Sequence, residues 1–294
     1  MTPRLDRRGL IVGLGAAGMT GLAACAGASD ARSTAGLPLD LAALEARHGG
    51  RVGVSVQDGR RRAHWRGDER FLFCSTFKLF LAAAVLERVQ RGEERLGRAI
   101  PITADDMVFH APVTEPAVGG ALTVERLCKA MVEVSDNPAA NIMIRDLGGL
   151  DAWRAWYGSI GDTVTRVDRM ETALNGRDGD KDTTTANQTV ANLGRVLLGD
   201  RLVVDHRLLL EGWLLDSPTG TGRIKAGAPD GWRVAHKTGT GGDGPANDIG
   251  LLRPPSGAPV RIAVYADIPD ATSDQRDSVI ADATRLALGA LGHG

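Results

Sequence analysis

The sequence lacks an excess of either charge: 35 Lys and Arg stand against 36 Asp and Glu, for a net charge of −1. A balance of that kind leaves no electrostatic footprint for nucleic acid or an acidic membrane surface. The densest basic run, Arg60-Arg61-Arg62, follows the turn signal Gln57-Asp58-Gly59 and reads as the solvated flank of a hairpin. The six histidines are scattered, without an H-E-x-x-H pattern or a close cluster, which argues against a zinc hydrolase. Cysteine is scarce too, and its count of three supplies neither a disulfide framework nor a metal site. Cys74 and Cys128 lie in apolar helical patterns where free buried thiols are common, and a bond between them stays open at this stage. Beyond about the first 25 residues no apolar run is long enough to span a membrane.

What is present is a chain of 294 residues, 43% hydrophobic and 24% charged, enough for one or two soluble domains with a sizeable core. The first segment, MTPRLDRRGLIVGLGAAGMTGLAAC, has a basic start, an apolar Gly/Ala-rich run and then small residues, and reads as an export signal over residues 1–28. Arg7-Arg8 before Gly9-Leu10-Ile11 resembles a twin-arginine signal. Leu22-Ala23-Ala24-Cys25 resembles a lipobox, which would anchor a periplasmic lipoprotein through Cys25. Ordinary cleavage after Ala26-Gly27-Ala28 is the rival reading.

Beyond that segment, LDLAALEARHG reads as a helix, and the alternation of Val52, Val54 and Val56 before the turn predicts a hairpin. Helical periodicity dominates from about Cys74 to Leu215. Strand signals return in WRVAHKTGT, NDIGLLRP and APVRIAVYADIP, the last two separated by the turn-like PPSG. The closing stretch TSDQRDSVIADATRLALGALG is expected to open at a Ser/Asp cap and run as an amphipathic helix. The expected fold is therefore α/β of the α+β kind, an antiparallel sheet flanked by helices. Residues 36–68 and 217–294 would build the sheet domain, with an all-helical domain over 69–216 inserted between them.

One charge is out of place in this pattern. From Phe71 to Leu86 the residues are apolar or small except Lys78, which is flanked by Phe77, Leu79 and Phe80 and has no easy route to snorkel. Ser75 is three residues earlier, so on a helix both side chains share a face within hydrogen-bond reach. A hydroxyl needs a base to become a nucleophile, and burial lowers a lysine's pKa toward basic usefulness. Ser75 also stands where the helix begins, where backbone N–H groups can stabilise an oxyanion. Alone, S-x-x-K is a weak pattern. Three further segments add weight. Ser135-Asp136-Asn137 interrupts a helical run with a hydroxyl and an amide. Lys237-Thr238-Gly239-Thr240 ends a strand with a cation, two hydroxyls and a glycine that lets substrate approach the backbone. Glu171-Thr172-Ala173-Leu174-Asn175 precedes the polar GRDGDKDTTT.

In identity, order and spacing these segments, with PVTE at Pro112 to Glu115, DNPAAN and DRMETALN, resemble the class A serine β-lactamases over nearly the whole mature chain. The resemblance implies a hydrolase for β-lactam substrates that needs no metal or cofactor; the sequence does not give the oligomeric state, and a monomer is the simple expectation. It implies that Ser75 attacks the lactam carbonyl while the N–H groups of Ser75 and Thr240 form the oxyanion hole. Lys78 helps to activate Ser75, and Ser135, polarised by Lys237, protonates the departing nitrogen. Asn137 holds the substrate's side-chain amide, and Glu171 with Asn175 activates the deacylating water. Whether Lys78 or Glu171 is the acylation base stays open. The substrate carboxylate would fall to Lys237, Thr238 and Thr240 with Arg223, Lys225 being a weaker rival.

The departures are specific. His110 stands where relatives carry a Tyr or Trp at the cleft mouth, and His236 where an aspartate is frequent, a change expected to alter charge near the cleft. The loop after Asn175 is shorter and lacks the usual proline after the glutamate, while Arg169 and Asp182 are expected to pair across its neck. Gly241 replaces the cysteine that one carbapenem-hydrolysing group pairs with its counterpart of Cys74, so that disulfide is absent. Two other readings share part of the pattern: a penicillin-binding D,D-peptidase, which would lack Glu171, and a β-lactam sensor, which would need a membrane span.

Overall fold

A computed structural model describes residues 36–293. The first segment, read as an export signal, and Cys25 lie outside the described residues. Along the chain, α1 (Ala42–His48) leads into the hairpin β1 (Arg51–Asp58) and β2 (Arg61–Trp65). The short β3 (Phe71–Leu72) and a 3-10 turn over Cys74–Thr76 run directly into α2 (Phe77–Gln90). Then come β4 (Ala99–Pro101), β5 (Ala121–Thr123), α3 (Val124–Glu133), α4 (Asn137–Leu147) and α5 (Gly149–Ser159). After a long loop follow β6 (Thr183–Thr184), α6 (Ala186–Leu193), α7 (Val204–Leu215) and α8 (Ile224–Gly227). The chain closes with β7 (Arg233–Thr240), β8 (Pro245–Arg253), β9 (Val260–Asp267) and α9 (Ser273–Ala290).

The strands order as β2-β1-β9-β8-β7 with every pairing antiparallel, so the two ends of the described chain share one sheet. Period-two alternation sorts the side chains between its faces. Val52, Val54 and Val56 join Val260, Ile262 and Val264 against Leu41 and Leu44 near the start of the described residues and Val279, Ala283 and Ala287 of α9. Ala235, Ile249, Leu251, Ala263 and Tyr265 face the other way, into the core shared with α2 to α7. The segment between β2 and β7 also holds two short ribbons, β3 with β6 and β4 with β5, so it is not purely helical.

α2 is apolar all round because it is the centre of that core: Phe77 through Glu87 are all buried. The expected Ser/Asp cap of α9 is instead Thr272. Its side chain accepts from Gln275 N while Gln275 Oε1 accepts from Thr272 N, a reciprocal box that Ser273 and Asp274 are placed too late to form.

Candidate active site

The first turn before α2 carries Ser75, and Lys78 follows one helical turn later. The helical spacing does what it promised: Lys78 Nζ lies 2.9 Å from Ser75 Oγ. Lys78 is fully buried, while Ser75 keeps a small exposed edge toward the cleft. The 134–137 turn between α3 and α4 closes over the ammonium, which donates to Ser135 O at 2.9 Å and lies near Ser135 Oγ at 3.3 Å and Asn137 Oδ1. Glu171 reaches in from the long loop, its Oε1 2.8 Å from Lys78 Nζ and 3.1 Å from Ser75 Oγ. An ammonium has three protons, fewer than the acceptors gathered here, so its protons can move among alternative partners. Burial pushes the Lys78 ammonium below the ordinary lysine range, and the Glu171 carboxylate pulls in the opposite direction.

Backbone strain concentrates around this cluster. Cys74 (φ 45), His110 (φ 66) and Ser135 (φ 61) adopt left-handed backbone without being glycine, and Asp182 (φ 53) does so at the loop neck. Such residues cost on the order of 1–3 kcal/mol each, so the surrounding contacts must fix them. For the 134–137 turn those contacts come from Asp136, a fully buried residue to which the sequence reading gave no role. Its carboxylate accepts from Val113 N, Thr114 N, Thr114 Oγ1 and Ala139 N, capping α4 and binding the PVTE segment to the turn.

The loop that carries Glu171 is fastened at both ends. Arg169 Nε donates to Asp182 Oδ2 at 2.6 Å, the pair expected across the neck, and Asp182 Oδ1 also accepts from Asp168 N and Arg169 N. Deeper in, Asn141 of α4 exchanges two bonds with the Glu171 backbone, at 2.8 and 2.9 Å. Asn175 Nδ2 holds Glu171 Oε2 at 2.6 Å. Asn141 stands four residues after Asn137, a helical spacing that carried the signal.

The opposite wall is the end of β7, an edge strand. Alternation turns Lys237 and Gly239 to the side of Ala235, toward Ser75 and Ser135. Lys237 Nζ donates to Ser135 Oγ at 3.1 Å and to Thr238 O at 2.8 Å, and burial with the nearby Lys78 charge pushes it well below the lysine range. A Cβ on Gly239 would lie 3.0 Å from Phe73 O and 3.2 Å from Cys74 Cβ, so any side chain there would press the strand away from the Ser75 turn. From β8, Asn247 Nδ2 holds Leu72 O and Phe73 O and locks the approach to that turn.

His236 points the other way. It is fully buried on the far face, with Nδ1 2.8–2.9 Å from both Asp248 oxygens, and so does not bring its ring to the cleft. Arg223 is buried beside Thr240, to whose Oγ1 it donates at 2.9 Å. Its other nitrogens serve Gly239 O, Asn247 O and Asp277 Oδ1. Lys225 Nζ donates to Ser217 O at 2.7 Å and does not line the cleft. Cys74 and Cys128 are both free and buried.

Between these walls opens a cleft of about 540 Å³, lined by Ser75, His110, Ser135, Asn137, Asn175, Arg223, Thr238, Gly239 and Thr240, with Phe109 at its mouth. Lys78, Glu171 and Lys237 lie just behind that lining. A nucleophile, two candidate bases and a bank of hydroxyls and cations thus face one space, an arrangement suited to acyl transfer from a carboxylate-bearing amide.

Comparison with known proteins agrees in fold and family. A family model described as the β-lactamase enzyme family matches residues 38–291. β-Lactamase L2 of Stenotrophomonas maltophilia is 42% identical over 273 residues, 91% of this chain and 89% of that protein. A β-lactamase of Streptomyces albus G is 40% identical over 86% of this chain and 83% of its own length. The solved class A β-lactamase of the last common ancestor of Gram-negative bacteria superposes with a TM-score of 0.83 at 48% identity, covering 85% of this chain and 97% of that one. With the S-x-x-K serine and lysine, the S-D-N turn, the loop glutamate and the K-T-G-T strand converging on one cleft, this chain belongs to the class A serine β-lactamases.

Proposed function

We propose that the chain hydrolyses the amide bond of penicillins and cephalosporins through an acyl-enzyme on Ser75, released by a water that Glu171 activates. In acylation the Ser75 proton leaves to Lys78 or to Glu171, both within about 3 Å. The Oγ–C bond forms and the lactam C–N bond breaks. The developing oxyanion is assigned to the N–H groups of Ser75 and Thr240, on the two backbones that Gly239 allows to approach.

The departing nitrogen takes its proton from Ser135. That hydroxyl accepts from Lys78 at 3.3 Å and from Lys237 at 3.1 Å, which occupies both its lone pairs and leaves its own hydrogen free for the cleft. Lys78 can then replace the proton. Asn137 keeps one Nδ2 hydrogen beyond the bond it gives to Phe109 O, and we assign that hydrogen to the substrate's side-chain amide. Thr238 and Thr240, with Lys237 and Arg223 behind them, are assigned to the substrate carboxylate. Arg223 acts there through Thr240 Oγ1 and the one Nη2 hydrogen it has left, since its four hydrogen bonds use its other four N–H donors.

The observation that carries the hydrolytic reading is the Glu171 carboxylate held 3.1 Å from the Ser75 hydroxyl, with its other oxygen steered by Asn175. An acyl-transferring peptidase or a sensor has no use for a base at that point. With excess chromogenic cephalosporin, the purified protein should complete many cycles per active site. A single stoichiometric burst followed by no turnover would instead favour the peptidase or sensor reading.

A further inference from the structure

The proposed mechanism makes no use of His236, yet its surroundings are closely built. His236 and Asp248 are both fully buried, on the face of β7 and β8 that turns away from Lys237. Both Asp248 oxygens lie 2.8–2.9 Å from His236 Nδ1, so that nitrogen carries a proton and donates it. The other ring nitrogen, Nε2, is buried with no hydrogen-bond partner among the described residues. An imidazole enclosed with one nitrogen unpaired costs free energy that an apolar side chain would not. Its one polar tie is the bond to Asp248.

Asp248 in turn joins the sheet to the segment that carries Arg223. Its Oδ2 also accepts at 3.1 Å from the N–H of Ile224, the first residue of α8 and the direct neighbour of Arg223. Gly220 closes the same turn from the other end. A Cβ there would come within 2.4 Å of Thr238 Cγ2 and 3.4 Å of His236 Cε1, so with φ +61 the position suits glycine alone. Its carbonyl accepts from Arg223 N at 3.0 Å. The Gly220–Ile224 turn is thus seated on the imidazole at one end and tied to the carboxylate at the other. Arg223 leaves from that turn to reach Gly239 O, Asn247 O and Thr240 Oγ1. Its own backbone (φ −101, ψ −126) is not helical, so α8 does not set its direction.

We propose that the His236–Asp248 pair is a positioning device for Arg223. The Nδ1–H bond locks the Asp248 carboxylate where it holds Ile224 N, and that anchor aims the guanidinium at Thr240 and at the substrate carboxylate. Neither residue touches substrate, and the inference rests on the carboxylate seat proposed above. The test compares kcat/KM for benzylpenicillin and for its methyl ester, which lacks the carboxylate. His236→Leu removes the donor and should lose about threefold to tenfold of the parent's preference for the acid, mostly through KM, the size of one hydrogen bond. The ester should be hydrolysed as by the parent. His236→Asn, whose Nδ2 can stand at the Nδ1 position, should keep the preference. In an Arg223→Ala background His236→Leu should cost no further preference, because the two residues act as one unit. Should leucine alone not fold because a buried carboxylate loses its partner, adding Asp248→Asn removes that charge and carries the same expectation. An acid preference equal to the parent's, equal losses on acid and ester, or a further loss on Arg223→Ala would overturn the assignment and leave the hydrolytic reading intact. A parent that turned over both compounds without preferring the acid would overturn the carboxylate seat and this assignment with it. One that turned over neither would overturn the hydrolytic reading as well.

Discussion

On the helical wall of the cleft, the buried ammonium of Lys78 meets the Glu171 carboxylate at 2.8 Å. On the strand wall, the equally buried Lys237 meets only the Ser135 hydroxyl at 3.1 Å and the Thr238 carbonyl at 2.8 Å. Among the described residues it has no carboxylate partner, because those that act on it are already engaged: Asp248 by His236 and Ile224 N, Glu171 by Lys78 and Asn175. The helical wall is thus complete in itself, a base, an acid and a nucleophile linked so that a proton can move without net charge leaving the site. The strand wall carries an uncompensated cation, and an anion arriving in the cleft is what would complete it. In the proposed mechanism the helical wall supplies the nucleophile and its bases, while the strand wall supplies an oxyanion donor, the cation behind Ser135 and the seat of the carboxylate, so substitutions on each should have different consequences.

The largest expected effect lies on the helical wall. Glu171→Gln keeps the size and the Asn175 and Asn141 contacts but removes the basicity, so the acyl ester should form and stall. Steady-state turnover should fall by about 10²–10⁴, with a burst and an adduct at Ser75 visible by mass spectrometry. Undiminished turnover would remove Glu171 from the chemistry and dissolve the contrast between the walls.

A smaller loss is expected on the strand wall. Arg223→Ala takes away the donor to Thr240 Oγ1 and leaves Gly239 O, Asn247 O and Asp277 without their partner. We expect kcat/KM to fall by roughly 10–100-fold, as for losing one charged hydrogen bond at about 1.5–3 kcal/mol, with KM rising and with lower thermal stability as well. A change in kcat alone would place Arg223 with the proton-transfer groups instead.

The smallest effect is one of stability. Burial lowers the pKa of Lys237, so between its lowered value and about 10.4 the folded state binds fewer protons than the unfolded chain. Parent stability therefore rises with pH across that window, and below it the buried cation is a standing cost. Lys237→Met should stabilise the fold by about 1–2 kcal/mol near neutral pH, with the gain shrinking as pH climbs toward the free-lysine value. Chemical denaturation of parent and variant at several pH values checks this, and a gain that grows with pH would reverse the sign and the explanation.

The two walls were unequally legible. Ser75 and Lys78 could be read directly because a helix fixes the i, i+3 distance locally and because a lone charge in an apolar run is conspicuous. Lys237 and His236 were both noticed, but only the sheet's alternation says which faces the cleft. Asp136, Asn141 and Asn247 passed as ordinary polar residues. Their partners at Thr114, Glu171 and Phe73 are 22, 30 and 174 residues away in the chain, and no local pattern announces contacts at such range.

By itself the sequence determined what chemistry the chain carries and much of its architecture: helical and strand periods, the hairpin, and the identity and order of the reactive segments. These depend on interactions within a few residues. The tertiary structure alone decided which oxygen the buried lysines share, that Arg223 serves Thr240 while Lys225 turns away, and that His110 is anchored to Val134 O. Those outcomes hang on bond lengths and side-chain directions set by packing between distant segments, and a hydrogen bond's worth changes within a fraction of an ångström.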